Sequence, residues 1–316
     1  MQQQARQVES AGFEIILVGD SLGMVVLGYD TTLPVTMDDM IHHCKAVRRG
    51  APSRFIVGDM PFGSYEEGPK EGLQNALRFI KEAGMDAVKL EGGQNRVEIV
   101  KKLVESGIAV MGHIGLTPQG IGVLGGFRAQ GRTAVRAKAI IDDALALQKA
   151  GCFALGMIQC STYIPSFPYQ TERCDSYFST LVIECVPSAV AKAVTEAVNI
   201  PVIGIGAGPH TSGQVLVYHD LLGLMHHPHH EKHVPSFCKR YGTLGTQMHD
   251  ALVQYKNEVH DSSFPSEEYN PYKMSAEEQA KLAEMLSEDA ADRGTESVQI
   301  KKKHREADEY EVVKLY

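Results

Sequence analysis

Residues 70–91, KEGLQNALRFIKEAGMDAVKLE, decide the fold. Leu73, Ala76, Leu77, Ile80 and Ala83 recur at helical spacing on one face, and Gly84 stops the helix. AVKL then runs as a short apolar strand that ends at Glu91. The same ending recurs elsewhere: EIILVG stops at Asp20, FIVG at Asp59 and LVI at Glu184. Strand alternating with helix at this spacing predicts a parallel sheet with right-handed crossovers. Side chains at the C-terminal ends of such strands point into the crevice where ligands bind, so four carboxylates arriving from four distant segments suggest one metal-centred active site.

Working outward, strand candidates fall at 14–19, 55–59, 86–90, 108–112, 152–155, 201–205 and 214–218, with further helices at 95–106 and 134–150. The chain length of 316 residues favours a closed (β/α)8 TIM barrel over an open sheet. A barrel of that kind needs eight strands, and the chain opens inside a helical stretch, QQARQVESAG, with no strand before it. The first strand is therefore expected to be missing, as from a truncated gene product or fragment, unless a late segment fills the gap. Residues 156–180, GMIQCSTYIPSFPYQTERCDSYFST, have no helical period and separate CFAL from LVIEC, which would otherwise join into one apolar segment ending in Glu184. A retained intron translated in frame and a surface insertion both account for them. The expected organisation is a catalytic barrel over 1–274 and a charged tail over 275–316, helical at first and then disordered.

A hydrophobic content of 43% supports a sizeable core, and a net charge of −8 without a concentrated basic face argues against a nucleic-acid partner. Six cysteines (Cys44, Cys152, Cys160, Cys174, Cys185, Cys238) show no CxxC spacing and follow no secretory signal, so reduced thiols in a reducing compartment are expected. No apolar run approaches the roughly 20 residues that span a bilayer, which predicts a soluble chain with no membrane partner. The histidines His226, His227, His229, His230 and His233 surround Pro228 and read as a solvated loop rather than a metal site. Gly204, Gly206 and Gly208 lack the GxGxxG spacing and read as tight packing at the strand ends rather than a phosphate cradle.

Seven motifs in order carry a resemblance: VGDSLGMVVLGYDTTLPVT (18–36), VGDMPFGSY (57–65), VKLEGG (88–93), GHIGLTPQ (112–119), IECVP (183–187), IGIGAGP (203–209) and QVLVYHDLLG (214–223). Together they resemble the ketopantoate hydroxymethyltransferase family over about 5–274, apart from 156–180. The resemblance implies a (β/α)8 barrel that transfers a hydroxymethyl group to 3-methyl-2-oxobutanoate, with Mg²⁺ as cofactor and 5,10-methylenetetrahydrofolate as co-substrate. It further implies the first step of pantothenate synthesis, a homo-oligomer of decameric form, and a mitochondrial location if a transit peptide is missing from the chain, otherwise a cytoplasmic one. By motif, Asp20, Asp59 and Glu91 form the metal environment, Lys89 contacts the oxo acid, Ser21 is similar to the serine that binds the substrate carboxylate, and Glu184 looks like the general base.

The residue types suit those roles. Mg²⁺ takes oxygen ligands from one or two carboxylates, water and substrate, and a 2-oxo acid offers two adjacent oxygens. Lys89 and Glu91, two apart on an extended strand, share a face, although a surface ion pair has the same spacing. Asp20 alone reads equally as a helix cap. His113 ends a strand and either meets substrate or is a satisfied core histidine. Two rivals remain: a lyase of the phosphoenolpyruvate mutase and isocitrate lyase barrels, whose KKCGH-type loop is missing, and a non-catalytic fragment of the same family.

Overall fold

The computed structural model describes residues 1–124, 126, 128–152, 180–225 and 235–293. In chain order the main elements are α1 (Gln2–Ser10), β1 (Ile15–Val18), α2 (Leu22–Val25), α3 (Met37–Gly50), β2 (Phe55–Asp59), α4 (Pro69–Lys81), β3 (Ala87–Glu91), α5 (Val97–Glu105), β4 (Ala109–Gly115), α6 (Ile121–Leu124) and α7 (Ala134–Ala150). There follow β5 (Leu181–Glu184), α8 (Ser188–Ala197), β6 (Val202–Ile205), β7 (Gly213–Gln214), α9 (Tyr218–Leu221), α10 (Leu244–His260) and α11 (Ala276–Arg293). The chain divides into two compact units, Met1–Thr246 and Gln247–Tyr316.

The first unit is built on one seven-stranded sheet, all parallel, whose spatial order is the chain order from β1 to β7. An order without a switch point means that each right-handed crossover adds the next strand on the same side and lays its helix on the same face, which is how barrels grow. The sheet bends far enough that α1 meets the turn after β7: Gln4 Nε2 lies 3.2 Å from His219 Nε2, and the Tyr218 hydroxyl donates to Gln7 Oε1. Among the described residues β7 does not pair with β1, so the sheet is a curled run of seven parallel strands, the number counted in the sequence, and the eighth strand of a (β/α)8 barrel is not among them. β7 holds only two residues, fewer than expected at 214–218, and Ile15 at the other edge is 40% exposed.

Strand alternation sorts the side chains into two layers. Ile16, Val18, Ile56, Val88, Leu90, Val110, Ile114, Leu181, Ile183 and Val202 face the helices and join the large core. The opposite, concave face carries a smaller apolar plug of Val57, Ala87, Met111 and Val182, with Leu17, Ile203 and Ile205 against it. Asp59, Lys89, Glu91, His113 and Glu184 continue that same phase toward the strand ends, so the plug is the floor on which the polar residues stand.

Several expected elements differ in detail. On α4 the buried positions are Gly72, Ala76 and Phe79, while Leu77 is 38% exposed, so the buried stripe is rotated toward Phe79. The expected strand at 152–155 lies outside the described residues beyond Cys152. LVIE alone forms β5, pairing with β4 and β6 on either side. Residues 153–179, the histidines between 226 and 234, and the end of the expected tail beyond 293 also lie outside the described residues. Cys44, Cys152, Cys185 and Cys238 are free thiols, and the first two are buried.

Phe79 is fully buried where β2 needs a glycine: a Cβ added to Gly58 would stand 2.4 Å from Phe79 Cδ1 and 3.1 Å from Met85 Cγ. Gly58→Ala is expected to cost about 1–3 kcal/mol by overpacking, seen as a lower urea midpoint at unchanged slope, with partial recovery on adding Phe79→Leu. An unchanged midpoint would mean that this helix does not sit tightly on β2.

Candidate active site

Each polar residue at the concave mouth is delivered by a strand end. Asp20 follows β1 by two residues, Asp59 and Glu91 close β2 and β3, His113 lies near the end of β4, and Glu184 closes β5. Asp20, Asp59, Lys89, Glu91 and His113 are all buried, and Glu184 keeps 17% of its side chain exposed. The sequence-predicted carboxylates therefore do converge, and Lys89 and His113 stand among them.

Lys89 Nζ lies 2.9 Å from Asp59 Oδ1, 3.8 Å from Glu91 Oε1 and 3.1 Å from His113 Nδ1. The imidazole in turn spans two carboxylates, Nδ1 at 3.2 Å from Glu91 Oε1 and Nε2 at 3.1 Å from Glu184 Oε2. Asp59 Oδ2 accepts a hydrogen bond from the Asp20 backbone N–H at 3.0 Å, which ties β1 to β2 at the mouth. Ser21 opens the short α2 turn beside Asp20, and among the described residues its hydroxyl hydrogen-bonds to none of this group.

Two residues not singled out by sequence complete the cluster. Gln119 Nε2 donates to Asp20 Oδ2 and to the Met60 carbonyl, both at 2.9 Å, and its backbone N–H donates to Glu91 Oε2 at 2.9 Å. The Tyr65 hydroxyl donates to Gln119 Oε1 and accepts the Glu91 N–H at 3.2 Å. Both lie at the C-terminal ends of motifs already recognised, VGDMPFGSY and GHIGLTPQ, which was the available signal. The turn that brings Gln119 back depends on Gly115, at φ +90°, where a Cβ would stand 2.3 Å from the Glu184 carbonyl oxygen.

Electrostatics follow from burying four carboxylates beside one ammonium and one imidazole. Burial, and next the Asp59 charge, push the Asp20 carboxyl well above the usual carboxylate range, against the pull of Lys89 and Gln119. Burial raises Asp59 as well, with Lys89 opposing it. Glu91 is held low despite its burial by His113, Lys89 and the Gln119 N–H. Burial works against the charged forms of Lys89 and His113, but the surrounding carboxylates win in both cases, keeping the ammonium charged and raising the imidazole to about 9.

This donor set suits a hard divalent cation. Asp59 Oδ1 is a buried carboxylate oxygen with charge contact to Lys89 but no aligned hydrogen bond, and burial and the Asp59 charge disfavour the Asp20 anion. Among the described residues no three His, Cys, Asp or Glu side chains converge into a ready-made cage. An ion such as Mg²⁺ needs only one or two protein carboxylates, the rest coming from water and substrate. Gly204 within β6 and the two glycines after it are packing positions: added Cβ atoms at Gly204, Gly206 and Gly208 would meet Thr211, Phe237 and Ser188 at 2.7, 2.6 and 2.6 Å.

A cleft of about 810 Å³ reaches Gly115 at the end of β4 and is lined by Arg128, Gln130, Arg132, Arg136 and Asp143. It adjoins the strand that carries Glu184, because the Gln130 N–H donates to the Cys185 carbonyl at 2.9 Å.

Residues 2–163 and 176–267 match the sequence model of the family described as ketopantoate hydroxymethyltransferase. A mitochondrial 3-methyl-2-oxobutanoate hydroxymethyltransferase of Oryza sativa subsp. japonica is 52% identical over 273 residues, covering 86% of this chain and 68% of the relative. The enzyme of that name from Heliobacterium modesticaldum is 48% identical over 266 residues, covering 84% of this chain and 85% of its own. Among solved structures, oxaloacetate acetylhydrolase is similar at 12% identity over 92% of this chain and 90% of that one with a TM-score of 0.47, a likeness too slight to carry fold or chemistry. With half its residues shared with such relatives over most of its length, the chain belongs to the ketopantoate hydroxymethyltransferase family.

Proposed function

We propose that the concave mouth removes the C3 proton of 3-methyl-2-oxobutanoate and adds a hydroxymethyl group there, drawing the carbon from 5,10-methylenetetrahydrofolate at the entry to pantothenate synthesis. The observation that carries the reading is one partly exposed carboxylate, Glu184, beside a buried cluster of Asp20, Asp59, Lys89, Glu91 and His113. Mg²⁺ is the cation the oxygen donors of Asp20, Asp59 and Glu91 suit, and it would supply Lewis acidity to the adjacent oxygens of the oxo acid.

The chain's own residues account for the rest. Glu184 is the group at the mouth that can take a proton, and His113 Nε2 stands 3.1 Å from its Oε2. Lys89 places a fixed positive charge where the oxo acid's anionic oxygens gather as the proton leaves, and Ser21 at the rim offers a hydroxyl to the substrate carboxylate. The one-carbon methylene gives up both of its bonds to folate nitrogen, one replaced by the bond to the enolate carbon and the other by the bond to a water oxygen, while the C3 proton and one proton of that water end on the two nitrogens of tetrahydrofolate. The arginine-lined cleft beside Glu184 has the size and charge for a large co-substrate that ends in carboxylates.

The same reading extends to the assembly and location. Plant relatives named as mitochondrial favour that compartment over the cytoplasm, and the free thiols suit a reducing one. We take the working form to be a homo-oligomer, a decamer by resemblance.

Deuterium exchange at C3 of 3-methyl-2-oxobutanoate, followed by NMR without folate, tests the chemistry. Exchange by the whole chain, abolished by chelation, restored by Mg²⁺ and lowered about 10²–10⁴-fold in Glu184→Gln, is expected. A chain that is folded yet shows no exchange would be a family member without this activity.

In the complete reaction, Arg128→Ala combined with Arg132→Ala is expected to raise KM for the folate about tenfold or more, from loss of charge-assisted contacts, with a much smaller change in KM for the oxo acid. Equal KM values for the folate would place its anionic end elsewhere.

A further inference from the structure

Gln119 sits below the mouth with every polar atom of its side chain committed. Tyr65, fully buried with the Arg96 guanidinium 4.9 Å above its ring, has one hydroxyl proton. Because that hydroxyl accepts the Glu91 N–H, its proton goes to Gln119 Oε1. The amide is thereby oriented: Oε1 faces Tyr65, and the two Nε2 hydrogens face Asp20 Oδ2 and the Met60 carbonyl. Flipping it would set a carbonyl oxygen against a carboxylate and a second carbonyl in a place closed to water. The backbone N–H of the same residue takes Glu91 Oε2, so one residue holds an oxygen of each of two carboxylates from different strands. What Glu91 leaves for the cluster is Oε1, the oxygen that faces Lys89 and His113.

We propose that Gln119 is a positioning residue that fixes the Asp20 and Glu91 carboxylates in the orientation the reaction uses, and that the Tyr65 hydroxyl sets the direction of its amide. The proposal rests on the reading that this mouth enolises a 2-oxo acid. Neither residue touches substrate; both act through the carboxylates they hold. Tyr65 also accepts the Glu91 N–H, but its hold on the two carboxylate groups runs through Gln119, which gives the pair a signature that separate packing roles would not share.

The test compares Gln119→Met, which keeps length and volume but no donor, with Tyr65→Phe, which removes a single oxygen, and with the double variant. C3 exchange is measured against substrate concentration, alongside the thermal midpoint of each protein. The rate at saturation is expected to fall about ten- to a hundredfold in Gln119→Met with KM for the oxo acid little moved, to fall less in Tyr65→Phe, and to fall no further in the double variant than in Gln119→Met alone. An exchange rate within about twofold of the wild type in folded Gln119→Met, or losses that multiply in the double variant, would overturn the proposal. A second readout is independent of activity: NMR of the labelled Gln119 side-chain amide in the whole chain. Protected, distinct NH₂ protons in the wild type that lose protection in Tyr65→Phe are expected, and free exchange in the wild type would overturn the proposal. Should the wild-type chain fail to exchange substrate at all, the functional reading falls, and the amide measurement decides the geometry by itself.

Discussion

The mouth of this sheet depends on a buried ammonium. Lys89 stands between Asp59 and Glu91 on the concave face, with only 5% of its side chain exposed. A charge in that position is tolerable because carboxylates flank it, and the carboxylates are tolerable because it flanks them. Removing any one partner would leave an uncompensated charge beneath the strand ends. The period of two along β3 puts Lys89 and Glu91 on one face, and the register with β2 and β4 then sets Asp59 and His113 beside them. Fold and site are thus one constraint: a slip of one residue in β3 would turn both charges into the apolar layer against the helices.

Around that ammonium the charge is unequal by design of the donor set. The carboxylates outnumber the basic side chains, burial raises Asp20 and Asp59, and the carboxylates beside His113 raise its imidazole. Glu184 differs from the others in keeping solvent access, which is what the proposed proton-accepting role requires. Chemistry at the mouth and packing on the floor meet at Met111 and Val182, whose apolar side chains keep water from undermining the buried charges.

Much of this was legible in the sequence because parallel strands advertise their ends. An apolar run that stops at Asp59, Glu91 or Glu184 fixes both the strand and the direction of its last side chain, and each of those acids stands where that rule puts it. The helix at α4 was legible to within a few residues, but not its buried face: Leu77 and Phe79 compete for the core, and the choice of Phe79 depends on the space left by Gly58 in a different strand. The roles of Tyr65 and Gln119 were hidden for the same reason although both close recognised motifs, since their contacts bridge segments joined only after the sheet has formed and Gly115 has turned the chain back. Seven strands in chain order follow from alternation, and the described residues hold seven; the eighth that a closed barrel needs was already expected to be missing from the chain. LVIE shows the opposite lesson, since four residues hold a place in the sheet through pairing on both sides.

The most direct measurement of the central claim is a crystal structure of the chain with Mg²⁺ and 3-methyl-2-oxobutanoate. The oxo acid is expected over the concave face, its carboxylate end toward Lys89 and Ser21 and its C3 within reach of Glu184. An oxo acid bound elsewhere, in the arginine-lined cleft or at the open seam, with Lys89 still paired to Asp59 and Glu184 facing solvent, would contradict it.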